Sequence, residues 1–109
     1  MAFNKLLAER VRHLMRRIQG FEEKNMFGGV AFLLHGNVCA GIWKESLVLR
    51  LGPEQAAEAL QDPFVRAFDI TGKPMRGWVM VRSEAFQEDD ELSDWLRMAR
   101  KFVGKLPPK

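Results

Sequence analysis

The run Val30-Ala31-Phe32-Leu33-Leu34 constrains the fold more than any other stretch, because it places an apolar side chain at every position. Successive side chains of a strand point to opposite faces, so a half-solvated strand alternates apolar with polar. An unbroken apolar run of this length predicts a strand covered on both faces. His35-Gly36-Asn37-Val38 follows as the turn, with Gly36 and Asn37 as the two-residue loop of a primed hairpin turn, whose twist matches that of the strands. That turn sets Leu34 opposite Cys39, Phe32 opposite Gly41 and Val30 opposite Trp43. The second strand then runs from Val38 to Ile42, and the third from Ser46 to Leu51, with Leu47, Leu49 and Leu51 on one face.

Helical spacing governs the flanks of this meander. Leu7, Val11, Leu14, Met15 and Ile18 recur at three and four, which predicts a first helix capped by Asn4 and stopped at Gly20. A short link ending at Gly28-Gly29 joins it to the first strand. Gly52-Pro53-Glu54 opens a second helix, Pro53 to Gln61, since proline presets the helical φ where no amide donor is needed. Val65 to Ile70 and Trp78 to Arg82 supply two more strands around a Gly72-Lys73-Pro74 turn. The acidic group Glu88-Asp89-Asp90-Glu91 complements the unpaired amides at the start of a third helix, whose apolar face carries Leu92, Trp95, Leu96, Ala99, Phe102, Val103 and Leu106. The order α-β-β-β-α-β-β-α predicts an α+β, two-layer domain, with helices on one face of a five-stranded, mostly antiparallel sheet. An apolar sheet face turned away from the helices calls for a cover, so a homodimer or a protein partner is expected there.

The 109 residues fit one domain, residues 1–109, and leave no room for separate cofactor and substrate domains. A 47% apolar fraction with eight Phe and three Trp is enough for a core and argues against disorder. The single cysteine, Cys39, has no internal disulfide partner, which favours a reducing compartment, and no apolar run approaches the length of a membrane helix. With neither a secretory signal nor an acid-poor transit sequence at its start, the chain is expected to be cytoplasmic.

Candidate chemistry is sparse. Cys39 and His35 belong to opposite faces of the proposed hairpin, and His13 lies among arginines on the polar side of the first helix, so neither a nucleophile pair nor a metal set forms. Gly28-Gly29 lacks the lysine and the following helix of a phosphate loop, and the acidic group lacks the alternating ligands of a calcium loop. No cofactor and no enzymatic activity are expected. Seventeen basic residues against fourteen acidic ones give a net charge of +3. The basic stripe Lys5, Arg12 and Arg16, edged by Arg10 and Arg17, is the one nucleic-acid candidate, and it is also the ordinary polar face of a surface helix.

Lys24-Asn25-Met26-Phe27-Gly28-Gly29-Val30-Ala31-Phe32 resembles the opening motif of the N-terminal domain of the TfoX/Sxy family, bacterial regulators of competence. Gly36, Gly41, Leu49-Arg50-Leu51-Gly52 and Gly72-Lys73-Pro74-Met75-Arg76-Gly77-Trp78 follow in the order of that family's pattern, so the resemblance covers nearly the whole chain. It implies an α+β domain with a five-stranded antiparallel sheet. It also implies a non-enzymatic role in transcription, exercised through contact with a protein of the transcription apparatus. The chain ends at Lys109 without the helical second domain of full-length competence regulators, and so is similar to stand-alone versions of the domain. Arg50, Met75 and Trp78 are the expected protein contacts, being at a strand end or of types enriched at binding hot spots. Met26, Phe27, Gly28, Gly29, Phe32, Gly36, Gly41, Gly52, Pro74 and Gly77 are expected to shape the fold. Nucleic acid bound through Lys5, Arg12 and Arg16 is the alternative.

Overall fold

Asn4 starts the first element as its sequence predicts: its side-chain oxygen accepts the Leu7 N–H at 3.1 Å, and helix α1 runs Lys5–Met15 with Leu7, Ala8, Val11 and Met15 buried. The computed structural model describes residues 4–26, 28–69 and 75–109. Along the chain follow β1 (Phe21–Met26), β2 (Gly29–Leu34), β3 (Asn37–Trp43), β4 (Ser46–Arg50), α2 (Pro53–Ala59), β5 (Val65–Ala67), β6 (Trp78–Val81), a single 3-10 turn at Ser83–Ala85, and α3 (Asp89–Val103). Phe27, Ile70, Gly72, Lys73 and Pro74 lie outside the described residues, as does the turn expected at Gly72-Lys73-Pro74. The fourth strand expected to reach Ile70 is described only as Val65–Ala67.

The sheet has six strands in the order β1-β2-β3-β4-β6-β5, every neighbouring pair antiparallel. The expected five-stranded sheet is therefore corrected by one strand, β1, which occupies the stretch expected to be a link. Its sequence Phe21-Glu22-Glu23-Lys24-Asn25-Met26 has no apolar alternation because it is an edge strand, with Glu22 to Asn25 exposed. Apolar alternation reports burial of one face, and an exposed edge does not carry it.

The β2-β3 hairpin also differs in register. Leu34 pairs with Asn37, Phe32 with Ala40 and Val30 with Ile42. The two loop residues are thus His35 and Gly36, with φ of 51° and 84°. A type I′ turn needs positive φ at both central positions, which histidine tolerates better than most residues and glycine adopts freely. Asn37 enters the strand instead, fully inside, and its side-chain Nδ2 donates to the Pro107 carbonyl at 2.9 Å. Cys39 is the extra residue of a bulge between the Phe32 and Leu33 pairings, so Cys39 and Ala40 both enter the main core.

All three helices pack on one sheet face. Phe32, Ile42, Leu47, Leu49, Val79 and Val81 meet Val11 and Met15 of α1, Ala56 and Ala59 of α2, and Leu92, Leu96, Ala99 and Val103 of α3 in one continuous cluster. The Phe21 and Phe32 rings stack at 6.0 Å, tying the edge strand to this core. The Glu91 carboxylate accepts the Glu88 N–H at 3.0 Å and satisfies an amide at the start of α3, in accord with the acidic group there. Beyond α3 the chain returns to the hairpin, where the Lys109 N–H donates to the His35 carbonyl at 2.8 Å.

Candidate functional site

The sheet face opposite the helices holds a second, smaller apolar cluster. Val48 of β4 and Met80 of β6 sit side by side there by register, and Phe68, from the segment after β5, covers them. Trp43 and Trp78 flank the cluster, both half-buried. Between these aromatic walls the floor drops to Ala31, Val38 and Gly41, leaving a hollow of about 20 Å³. That space suits one water or the tip of one side chain. A metabolite needs a pocket of roughly 300 Å³ or more.

Two of the three expected contact residues meet directly. Arg50 of β4 pairs with Trp78 of β6, and its guanidinium carbon lies 5.5 Å from the Trp78 ring centre and 5.9 Å from that of Phe102 in α3. A guanidinium held over an aromatic ring at this distance is attracted by the negative face of the ring. Met75 belongs to the same corner: its N–H donates to the Phe68 carbonyl at 3.0 Å, its carbonyl accepts the Trp78 N–H at 3.1 Å, and its side chain is exposed. The Gly77 carbonyl accepts the N–H groups of Leu51 and Gly52, which locks this corner to the end of β4. The aromatic members Trp43, Phe68 and Phe102 are not among the contacts expected from sequence. Trp43 shares the parity of Gly41 in β3, which is a usable signal, whereas Phe68 reaches the site through a loop whose course no periodicity encodes.

The basic residues of α1 are exposed, except the half-buried Arg10, and are not equally free. Arg12 makes a two-pronged pair with Glu23, Nε to Oε1 at 2.7 Å and Nη2 to Oε2 at 2.8 Å, and this hydrogen bonding raises its pKa above the ordinary arginine value. Arg10 donates to Asp89 at 2.9 Å and to the Phe86 carbonyl at 2.9 Å, so it ties α1 to the start of α3. Lys5 of α1 and Arg16, the residue that caps its C-terminal end, are exposed, with no carboxylate partner among the described residues.

The expected separation of Cys39 from His35 holds: the thiol is fully buried and the imidazole lies in the exposed turn. Burial pushes the Cys39 thiol up to about 12, against the opposing pull of Arg100 and Arg50, so it is a poor nucleophile. Among the described residues no three of His, Cys, Asp and Glu converge as a metal set. No helix of the described chain is long and apolar enough to cross a membrane. A broader groove of about 450 Å³ runs beside α2 and α3, lined by Pro53, Glu54, Met98, Lys101, Phe102 and Lys105.

A family model, the TfoX N-terminal domain, matches residues 13–103. The chain belongs to the TfoX N-terminal domain family. No curated protein matches it. In this TfoX N-terminal domain the motif glycines have visible tasks. A Cβ on Gly29 would run into the Ile42 carbonyl oxygen, and one on Gly41 would lie 2.9 Å from the Val30 carbonyl oxygen, so the β2 and β3 backbones approach where only glycine fits. Gly52 lies against the Phe102 ring, and Phe32 stands at the centre of the core. Gly28 is an exposed turn residue with φ of 74°, and the backbone of Met26 ends β1.

Proposed function

We propose that this TfoX N-terminal domain is a non-enzymatic, cytoplasmic regulatory domain of a bacterial cell. It acts by docking a protein of the transcription apparatus on the open sheet face. The observation that supports this reading is the aromatic frame Trp43, Phe68 and Trp78 around the Ala31 and Gly41 floor, with the Arg50 guanidinium over the Trp78 ring. Half-buried tryptophans beside an arginine are the composition of a binding hot spot, and a shallow apolar hollow accepts one side chain of a partner. Arg50, Met75 and Trp78 are the contacts in this reading, and Trp43 is added to them.

The experiment is affinity capture from cells of the source, with the wild-type chain beside Trp43→Ala and Arg50→Ala. A partner recovered reproducibly with the wild type and lost with both variants supports the proposal. Recovery of nothing specific, or of a partner indifferent to both substitutions, overturns it. The alternative surface, Lys5, Arg12 and Arg16 on nucleic acid, has less to recommend it because the Arg12 charge is already matched by Glu23.

A further inference from the structure

The edge strand β1 leaves a row of backbone groups without a strand neighbour among the described residues. The His35 N–H donates to the Gly20 carbonyl at 2.9 Å, and Phe21 pairs with Leu34, so the even-numbered residues of β1 turn their N–H and C=O groups toward β2. Phe21, Glu23 and Asn25 therefore turn theirs outward. The Phe21 N–H is taken by the Ile18 carbonyl at 3.2 Å, while the amides of Glu23 and Asn25 bond no other backbone group among the described residues. Glu22, Glu23, Lys24 and Asn25 are all exposed.

An antiparallel copy of the same edge meets these groups only in certain registers. A two-fold axis perpendicular to the sheet keeps the helix faces of both copies on one side, so residues opposite each other must share parity. With the axis at Glu23, outward groups face outward groups: Glu23 meets its own equivalent, and Phe21 meets Asn25 of the second copy. On the open face the same register sets Glu22 opposite Lys24 twice, once on each side of the axis. Moving the axis to Lys24 sets two lysines opposite each other, and moving it to Glu22 does the same with two glutamates. Both are disfavoured for like charges directly opposed. The cost of the Glu23 meeting on the helix face is offset because each carboxylate is already held by its own Arg12 at 2.7 and 2.8 Å.

We propose that β1 is a homodimerisation edge, on which a second copy of this chain adds its own β1 in the Glu23-centred register to form a continuous twelve-stranded sheet. The charges that blunt an edge against foreign strands here select the edge's own sequence. Only a strand's width of surface is buried, which predicts a weak, reversible dimer populated at concentrations of about 100 µM. The axis also brings both open sheet faces to the same side, so the dimer presents two copies of the aromatic frame in one direction.

The test is sedimentation velocity of the full chain from about 10 µM to 1 mM, with Glu22→Lys, Lys24→Glu and the double exchange. The wild type is expected to dimerise with concentration. Each single reversal puts like charges opposite each other at both pairs and should raise the dissociation constant about tenfold or more, and the double exchange should bring it back. In parallel, amide exchange by NMR should show Glu23 and Asn25 gaining protection with concentration while the amides already bonded to β2 change little. A chain that stays monomeric throughout the range, or a dimer unaffected by the single reversals, overturns the proposal.

Discussion

The two faces of the sheet are built from the same strands and are covered differently. Toward the helices, Phe32, Leu47, Leu49, Val79 and Val81 meet a complete second layer and are essentially inaccessible. Away from the helices, Val48 and Met80 are also buried, but their cover is Phe68 and two tryptophans that remain half open. Alternation along each strand lets one sequence build both: one parity meets the helices, and the other carries apolar area that the described residues cover only in part. A face that keeps its rings half exposed is suited to contact, because its desolvation is left for a partner to complete.

Truncation tests this contrast most strongly. Phe32→Ala should lower stability by about 3–5 kcal/mol in urea denaturation, by removing a fully enclosed ring and leaving a cavity. Trp43→Ala, which removes a half-buried ring on the other face, should cost about 2 kcal/mol. Equal losses would mean that the open face contributes to folding on the same scale as the helix face. Next in size, Asn37→Ala should cost about 1–3 kcal/mol. Asn37 is the one buried polar side chain among the described residues, and its loss strips the Pro107 carbonyl of its donor. A negligible change would show that water reaches that end of the core.

Alkaline titration probes how dry the helix side is. The unfolded Cys39 thiol ionises near its ordinary value of about 8.5, whereas the folded one resists ionisation up to about 12. The folded state then holds the proton the unfolded state loses, so this contribution is intact below the unfolded value and is lost as pH rises above it. The slope reaches about 1.4 kcal/mol per pH unit at most. Cys39→Ala should flatten the stability profile over that window, and an unchanged slope would assign the loss to other groups. The smallest effect is expected at the rim: Arg12→Ala should cost about 0.2–1 kcal/mol, shrinking as salt is added, because its pair with Glu23 is largely exposed.

What the sequence made legible follows the same division. The helix-facing periodicities of α1, β4 and α3 are readable because burial imposes them, and the caps at Asn4 and Pro53 because unpaired backbone amides demand them. The edge strand β1 escapes such a reading because its charged residues answer to solvent and carry no repeat. The hairpin register differs from expectation by one residue at the turn: Gly36-Asn37 and His35-Gly36 are both chemically acceptable loops, and the choice is made by a contact from the far end of the chain, where Asn37 meets Pro107. Arg50 and Trp78 can be marked as residue types, but their meeting depends on the pairing of β4 with β6, two strands separated by α2 and β5.

The bonds that hold the last residues to the β2-β3 hairpin have a mechanical side. With the Lys109 N–H on the His35 carbonyl and the Pro107 carbonyl on the Asn37 side chain, the chain leaves the body of the domain at the tip of the β2-β3 turn. Anything attached after Lys109, whether an affinity tag or a fused protein, is therefore leashed to that tip. A pull on it loads the turn before it reaches α3, and a bulky fusion there crowds the hairpin.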